Sequence, residues 1–250
     1  VATLARRWHI VVAALTVRRT LLLLGASTLL MFVNWGAFIY AVEVERITEI
    51  SLGYYVNPLV NILLGVLVLG ERLGPRRWLA IALAAVGVLA FAWEVSGLPW
   101  ISLTLAFAFG FYGLIRKLTP LDSVDGLLVE TALLLPLALG YLVYLEAAGG
   151  GTSLLAGDLG QVVLLLLAGP VSAIPLIWFA SGARRLNYST VGFFQYIAPT
   201  LQLLLAVFAY GEPFTRAHGV TFACIWGALL LYTWASLRPG HGPKPATPPV

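Results

Sequence analysis

The sequence predicts an all-α, polytopic helical membrane protein, and three observations carry that prediction. The 250 residues are 60% hydrophobic and only 10% charged, with a mean hydropathy of +0.92. A soluble domain carries about 25% charged residues. Several long runs carry no charge, and a helix needs about 20 apolar residues to cross about 30 Å of hydrocarbon. The stretch 54–93, YYVNPLVNILLGVLVLGERLGPRRWLAIALAAVGVLAFAW, recurs without a gap at 195–234 as QYIAPTLQLLLAVFAYGEPFTRAHGVTFACIWGALLLYTW. A duplicated apolar segment with Pro near mid-span points to a secondary transporter built from internal repeats.

The leading segment holds Arg6, Arg7, Trp8, Arg18 and Arg19, with ten residues between Arg7 and Arg18. That is too short to span, so an interfacial connection is expected, with Trp8 at headgroup depth. Eight spans follow, at 20–41, 50–69, 78–93, 98–115, 126–145, 161–180, 191–210 and 220–237. All are expected to be helices, because lipid offers no partner to an open strand edge. The segment 238–250, with five prolines in thirteen residues, reads as a disordered, solvated tail.

Lys and Arg fall unevenly between the loops. Alternate loops, beginning with the leading segment, hold thirteen of the fifteen, and the others hold only Arg46 and Arg216. The positive-inside rule then places both termini in the cytoplasm.

At the offset of 141 residues Tyr55 meets Tyr196, Pro58 meets Pro199, Gly70-Glu71 meets Gly211-Glu212 and Trp93 meets Trp234. The copies begin on the second and seventh spans. Five spans apart is an odd number, so they are expected to cross the membrane in opposite senses, as an inverted repeat. The second repeat, 98–237, contains five spans. The first, 1–95, contains three, so two N-terminal helices are expected to be missing.

These residues together resemble the RarD subfamily of EamA-type transporters, in the drug/metabolite transporter superfamily. The matching stretches are NWGAFIYAV (34–42), SLGYYVNPLVNILLG (51–65), LGERL (69–73), AFAFGFYGLIRK (106–117), VETALLLP (129–136), STVGFFQYIAPTLQLLLAV (189–207) and YGE (210–212). The resemblance implies ten helices as two inverted five-helix repeats, a plasma (bacterial inner) membrane location, and a small organic metabolite or drug as solute. The expected lack of the first two helices would depart from that pattern and bear on transport competence, since the resemblance implies that those helices help wall the family's central cavity.

The candidate site lies on the repeated spans. Pro58 cannot donate a backbone hydrogen bond and frees the carbonyl of Tyr54; Pro199 does the same for Gln195. Loose carbonyls at hydrocarbon depth need protein or a wet cavity to face. Tyr54, Asn57, Pro58 and Asn61 recur at i, i+3, i+4 and i+7, one helical face. That face, with Gln195, Tyr196 and Gln202, reads either as cavity lining or as interhelical hydrogen bonding that ties the bundle. Asn34, Trp35, Tyr112 and Trp178 add amide and aromatic groups that suit a planar organic solute, with core packing and an interfacial belt as the plainer reading of Trp178.

Glu130 is the acid placed inside a span. It can carry a coupling proton or pair with Lys117 or Arg116 near the cytoplasmic face. Glu71 and Glu212, each after a glycine at a helix end, read as structural: caps of the next helix or partners of an arginine. Cys224 stands alone, so no internal disulfide or thiolate metal centre forms. His9, His218 and His241 fall outside the spans, which leaves no buried nucleophile and base, and an enzyme is not expected. No cofactor, metal or nucleic acid is expected. The expected partners are the bilayer, a small solute and, through Glu130, a proton; the pattern fixes no oligomeric state. The leading function is alternating-access transport, with a non-transporting membrane scaffold or an inactive truncated remnant as the alternative.

Overall fold

The computed structural model of the chain describes residues 12–14, 16–93, 98–147, 159–210 and 215–237. Among them run α1 (Arg18–Glu43), α2 (Ile47–Leu67), α3 (Pro75–Ala92), α4 (Trp100–Leu118), α5 (Ser123–Ala147), α6 (Leu159–Arg185), α7 (Tyr188–Gln195), α8 (Ile197–Tyr210) and α9 (Arg216–Leu237). No strand occurs among the described residues. Seven of these helices are long and apolar enough to cross a membrane. The chain is therefore a polytopic all-α membrane protein.

The span expected at 191–210 arrives as two helices, of 8 and 14 residues, broken at Tyr196. The cause lies three and four residues on. Pro199 offers no N–H to the Gln195 carbonyl. Thr200 then turns both its N–H (3.3 Å) and its hydroxyl (2.8 Å) onto the Tyr196 carbonyl. Hydroxyl back-bonding of this kind bends helices. The first copy has Leu59 in place of that threonine, and α2 runs unbroken through Pro58.

Local chemistry sets the helix ends. Glu45 closes α1 at φ +57°, with Arg46 N–H reaching back to the Ala41 carbonyl at 2.8 Å. Gly70 takes φ +66° after α2, a conformation that glycine adopts at little cost. Pro75 opens α3 at a first-turn position, where its missing N–H has no partner to lose.

The chain divides into two compact units. One comprises Val1–Leu29 with Ile115–Arg185, the other Leu30–Leu114 with Leu186–Val250. In the first unit α5 packs on α6, and Leu24 and Val129 are fully buried in a small apolar cluster. Leu164, Leu166 and Val171 of α6 are exposed, as hydrocarbon-facing side chains are.

The second unit is built on two antiparallel contacts. Along α3 and α9, Arg76 lies over the Trp234 ring at 5.0 Å and Arg77 over Tyr232 at 5.4 Å. Farther along, Thr221 donates to the Gly87 carbonyl at 2.9 Å, and Phe91 meets His218 at 5.4 Å. Numbers rise on one helix as they fall on the other. On α2 and α7, Asn61 meets Gln195, while the backbone at Gly65 meets Ser189. The core between these helices includes Tyr55, Ile62, Ala84, Phe91, Phe193 and Ile225.

The Gly211-Glu212 turn, the Glu94 loop, residues 148–158, residues 1–11 and the tail 238–250 lie outside the described residues.

Candidate functional site

Helical spacing brings five helices to one cavity of about 360 Å³ in the second unit. Asn34, Trp35 and Phe38 come from α1, and Gly53, Tyr54 and Asn57 from α2. Leu105 and Phe109 are one turn apart on α4, and Gln195, Ala198 and Pro199 flank the α7/α8 break. No Asp, Glu, Lys, Arg or His is among these lining residues. The wall is aromatic and amide.

The amides are not free to turn. Asn57 Nδ2 donates to the Ala106 carbonyl at 2.8 Å, which turns its Oδ1 toward Asn61. Asn61 Nδ2 donates to Asn57 Oδ1 at 3.3 Å and to Gln195 Oε1. Asn34 Nδ2 donates to the Leu105 carbonyl at 3.0 Å. A backbone carbonyl only accepts, so two consecutive carbonyls of α4 fix which end of each anchored amide faces them. Asn61 itself is fully buried behind the cavity, and its Oδ1 has no partner among the described residues.

Two carboxylates hold the frame. Glu71 accepts the N–H groups of Tyr188 (2.5 Å) and Ser189 (3.0 Å), so it caps α7, a helix far along the chain. Tyr188 in turn donates its hydroxyl to the Gly110 carbonyl at 2.6 Å. Glu49 is ion-paired with Arg46 and accepts the Ile101 N–H at 3.2 Å, while Ser102 donates to the Glu49 carbonyl at 2.7 Å. These bonds fix the starts of α2, α4 and α7, and through them the cavity wall.

A charged cluster sits in the first unit. Ser27 donates to Glu130 Oε1 at 2.5 Å, and Arg116 Nε lies 3.7 Å from the same oxygen. Arg116 is fully buried and also donates to the Asp122 and Ser123 carbonyls at 3.3 and 2.9 Å. Lys117 donates to the Ala183 carbonyl at 2.7 Å.

Of the residues that the sequence singles out, Asn34, Trp35, Tyr54, Asn57, Gln195 and Pro199 line the cavity. Asn61 stands one layer behind. Tyr112 and Tyr196 are fully buried in packing, and Trp178 and Gln202 are exposed. Sequence reasoning did not single out Phe38 and Phe109. Both were within reach of helical periodicity, since Phe38 follows Trp35 by three residues and Phe109 precedes Tyr112 by three.

Residues 4–93 match the model of the EamA-like transporter family. The chain is 49% identical to an uncharacterized transporter of Pseudomonas aeruginosa, over 86% of this chain and 73% of that protein. It is 47% identical to protein RarD of Salmonella typhi, over 92% of this chain and 78% of the relative. With protein RarD of Escherichia coli the identity is 44%, over 92% and 77%.

Proposed function

The chain belongs to the EamA-like transporter family, among its RarD-like members, and on that premise we propose that it carries a small organic solute across the membrane by alternating access. The cavity between α1, α2, α4 and the α7/α8 break is the solute site. In this reading 1–95 holds the first repeat and 98–237 the second, in inverted orientation, with both ends of the chain cytoplasmic.

One observation carries the mechanism. At the offset of 141, Arg77 corresponds to His218 and Phe91 to Tyr232. The Arg77–Tyr232 contact therefore exchanges into the His218–Phe91 contact when the copies are swapped, and both contacts exist. A pair of antiparallel helices that carries a contact and its swapped image supports a two-fold axis through that pair. The midpoint of the pairing falls near Ala84 and Ile225, themselves equivalent and buried. Two copies related in this way can trade conformations, which supplies two packings of similar free energy that open to opposite sides.

Glu130 belongs to the frame in this reading. Arg116 places a fixed positive charge 3.7 Å away and Ser27 occupies the same oxygen, which suits a standing ion pair better than a proton carrier.

The test uses access to the cavity. In a Cys224→Ala background, Ala198→Cys, which lines the cavity without a polar role, should react with a membrane-impermeant maleimide applied from either side of oriented vesicles. A solute that holds one state should protect it from one side. Reaction from a single side under all conditions would exclude alternating access.

A further inference from the structure

We infer that the cavity selects an uncharged, flat solute, which accepts a hydrogen bond from Gln195 and donates one to Asn34. This rests on the transporter reading and adds the class of solute to it.

The polarity follows from the amide relay. Gln195 gives its Oε1 to Asn61, so its Nε2 is the end left over, and it has no acceptor among the described residues. Asn34 gives its Nδ2 to the Leu105 carbonyl, so its Oδ1 remains as an acceptor. Asn57 already points one N–H at the Ala106 carbonyl and its Oδ1 at Asn61, so each of its ends is shared with a protein partner. The two remaining groups are of opposite sense and come from different helices.

Charge is the second constraint. A solute that enters the cavity leaves its hydration behind, and none of the lining residues carries a compensating charge. A zwitterion would lose hydration at both ends. The aromatic wall of Trp35, Phe38, Tyr54 and Phe109 could hold a cation over its ring faces. The Gln195 amide opposes that by turning N–H groups, not an oxygen, to the site. Size is the third constraint. The cavity of about 360 Å³ is a little over twice the roughly 150 Å³ that holds a benzene ring. A substituted single ring or a bicyclic system fits.

Benzamide, benzamidine and benzoate share one flat outline and are neutral, cationic and anionic at neutral pH. Each is added at equal concentration to the purified full chain in lipid nanodiscs, and thermal unfolding is followed. Benzamide should raise the melting temperature in a dose-dependent way, and the two ions should not. Asn34→Leu should abolish the benzamide response. Gln195→Glu keeps an oxygen for Asn61 and puts a second oxygen where the N–H was, so it should shift the preference to benzamidine.

If the native chain responds most to benzamidine, the aromatic wall is a cation cage and the inference fails. A strongest response to benzoate overturns it equally, as does the absence of any response. None of these outcomes removes two-sided labelling of the Ala198→Cys variant. The solute class and the transport reading therefore fail separately.

Discussion

The contact between Asn61 and Gln195 joins the two copies at the edge of the cavity, and its strength is measurable without knowing the solute. Asn61→Leu replaces the amide with an apolar group of similar size and removes two donated bonds, to Asn57 and to Gln195. Interhelical hydrogen bonds in membrane bundles average about 0.6 kcal/mol and reach about 1.7. The Gln195 bond is of that kind, the Asn57 bond is an i,i+4 pair within α2 worth about 0.2–0.5 kcal/mol, and together they amount to about 1 kcal/mol. The substitution also strands the buried Oδ1 of Asn57, at a cost of about 1–3 kcal/mol. A comparable penalty disappears, because the Asn61 Oδ1 that already lacked a partner is gone. The net loss is about 1 kcal/mol, which lowers the melting temperature of a chain this long by about 2–4 °C. Membrane insertion should survive that.

A double-mutant cycle isolates the pair. Asn61→Leu, Gln195→Leu and the double variant are compared by reversible unfolding, and a coupling of about 0.6–1.7 kcal/mol is expected. Additivity within about 0.3 kcal/mol would refute the reasoning, since independent sites behave in that way. In that case the relay would not be what fixes the Gln195 amide. A failure of Asn61→Leu to insert would instead make the amide cluster purely a tie between helices.

Two further outcomes test other parts of the structure. A Cβ at Gly126 would fall within the Arg116 guanidinium, against Nη1, Cζ and Nη2. Gly126→Ala should therefore displace the buried Arg116 guanidinium and weaken its pairing with Glu130, at about 1–3 kcal/mol. Thermal unfolding should show a fall of about 2–12 °C, and a native-like melting temperature would mean that the guanidinium moves aside freely. For orientation, a reporter fused after Lys117 should read cytoplasmic and one fused after Leu145 extracytoplasmic. A cytoplasmic signal at Leu145 would contradict the charge-derived topology.

The helical membrane class was legible because hydrocarbon leaves the chain few choices, and the span positions follow from runs that carry no charge apart from Glu130 in the fifth. The break at Tyr196 was less so. Both copies carry the proline, and what separates them is Thr200 against Leu59, one hydroxyl that takes a backbone carbonyl. The face of Tyr54, Asn57, Pro58 and Asn61 was readable as polar, but not how it divides. Tyr54 and Asn57 line the cavity, while Asn61 turns toward α7, because a single helical stripe is wide enough to serve two neighbours. The partner of Glu130 was open for a similar reason. Arg116 and Lys117 are adjacent in sequence but about 100° apart around a helix, and only the packing shows that Arg116 faces the carboxylate.

The two copies do not share the polar site equally, and this bears on mechanism. Within α3 and α9 the Arg77–Tyr232 and His218–Phe91 contacts exchange with one another at the offset of 141. The relay does not. Under the same exchange the Asn61–Gln195 contact becomes one between Gln202 and Tyr54. Gln202 is exposed, whereas Tyr54 lines the cavity. In the proposed alternating-access mechanism, a symmetric frame would keep two packings close in free energy, and an asymmetric site would let the solute be held differently in each. A ligand shifts such an equilibrium only by its difference in affinity between the two states. On the inverted-repeat reading, the amides that break the symmetry are the residues that supply this difference.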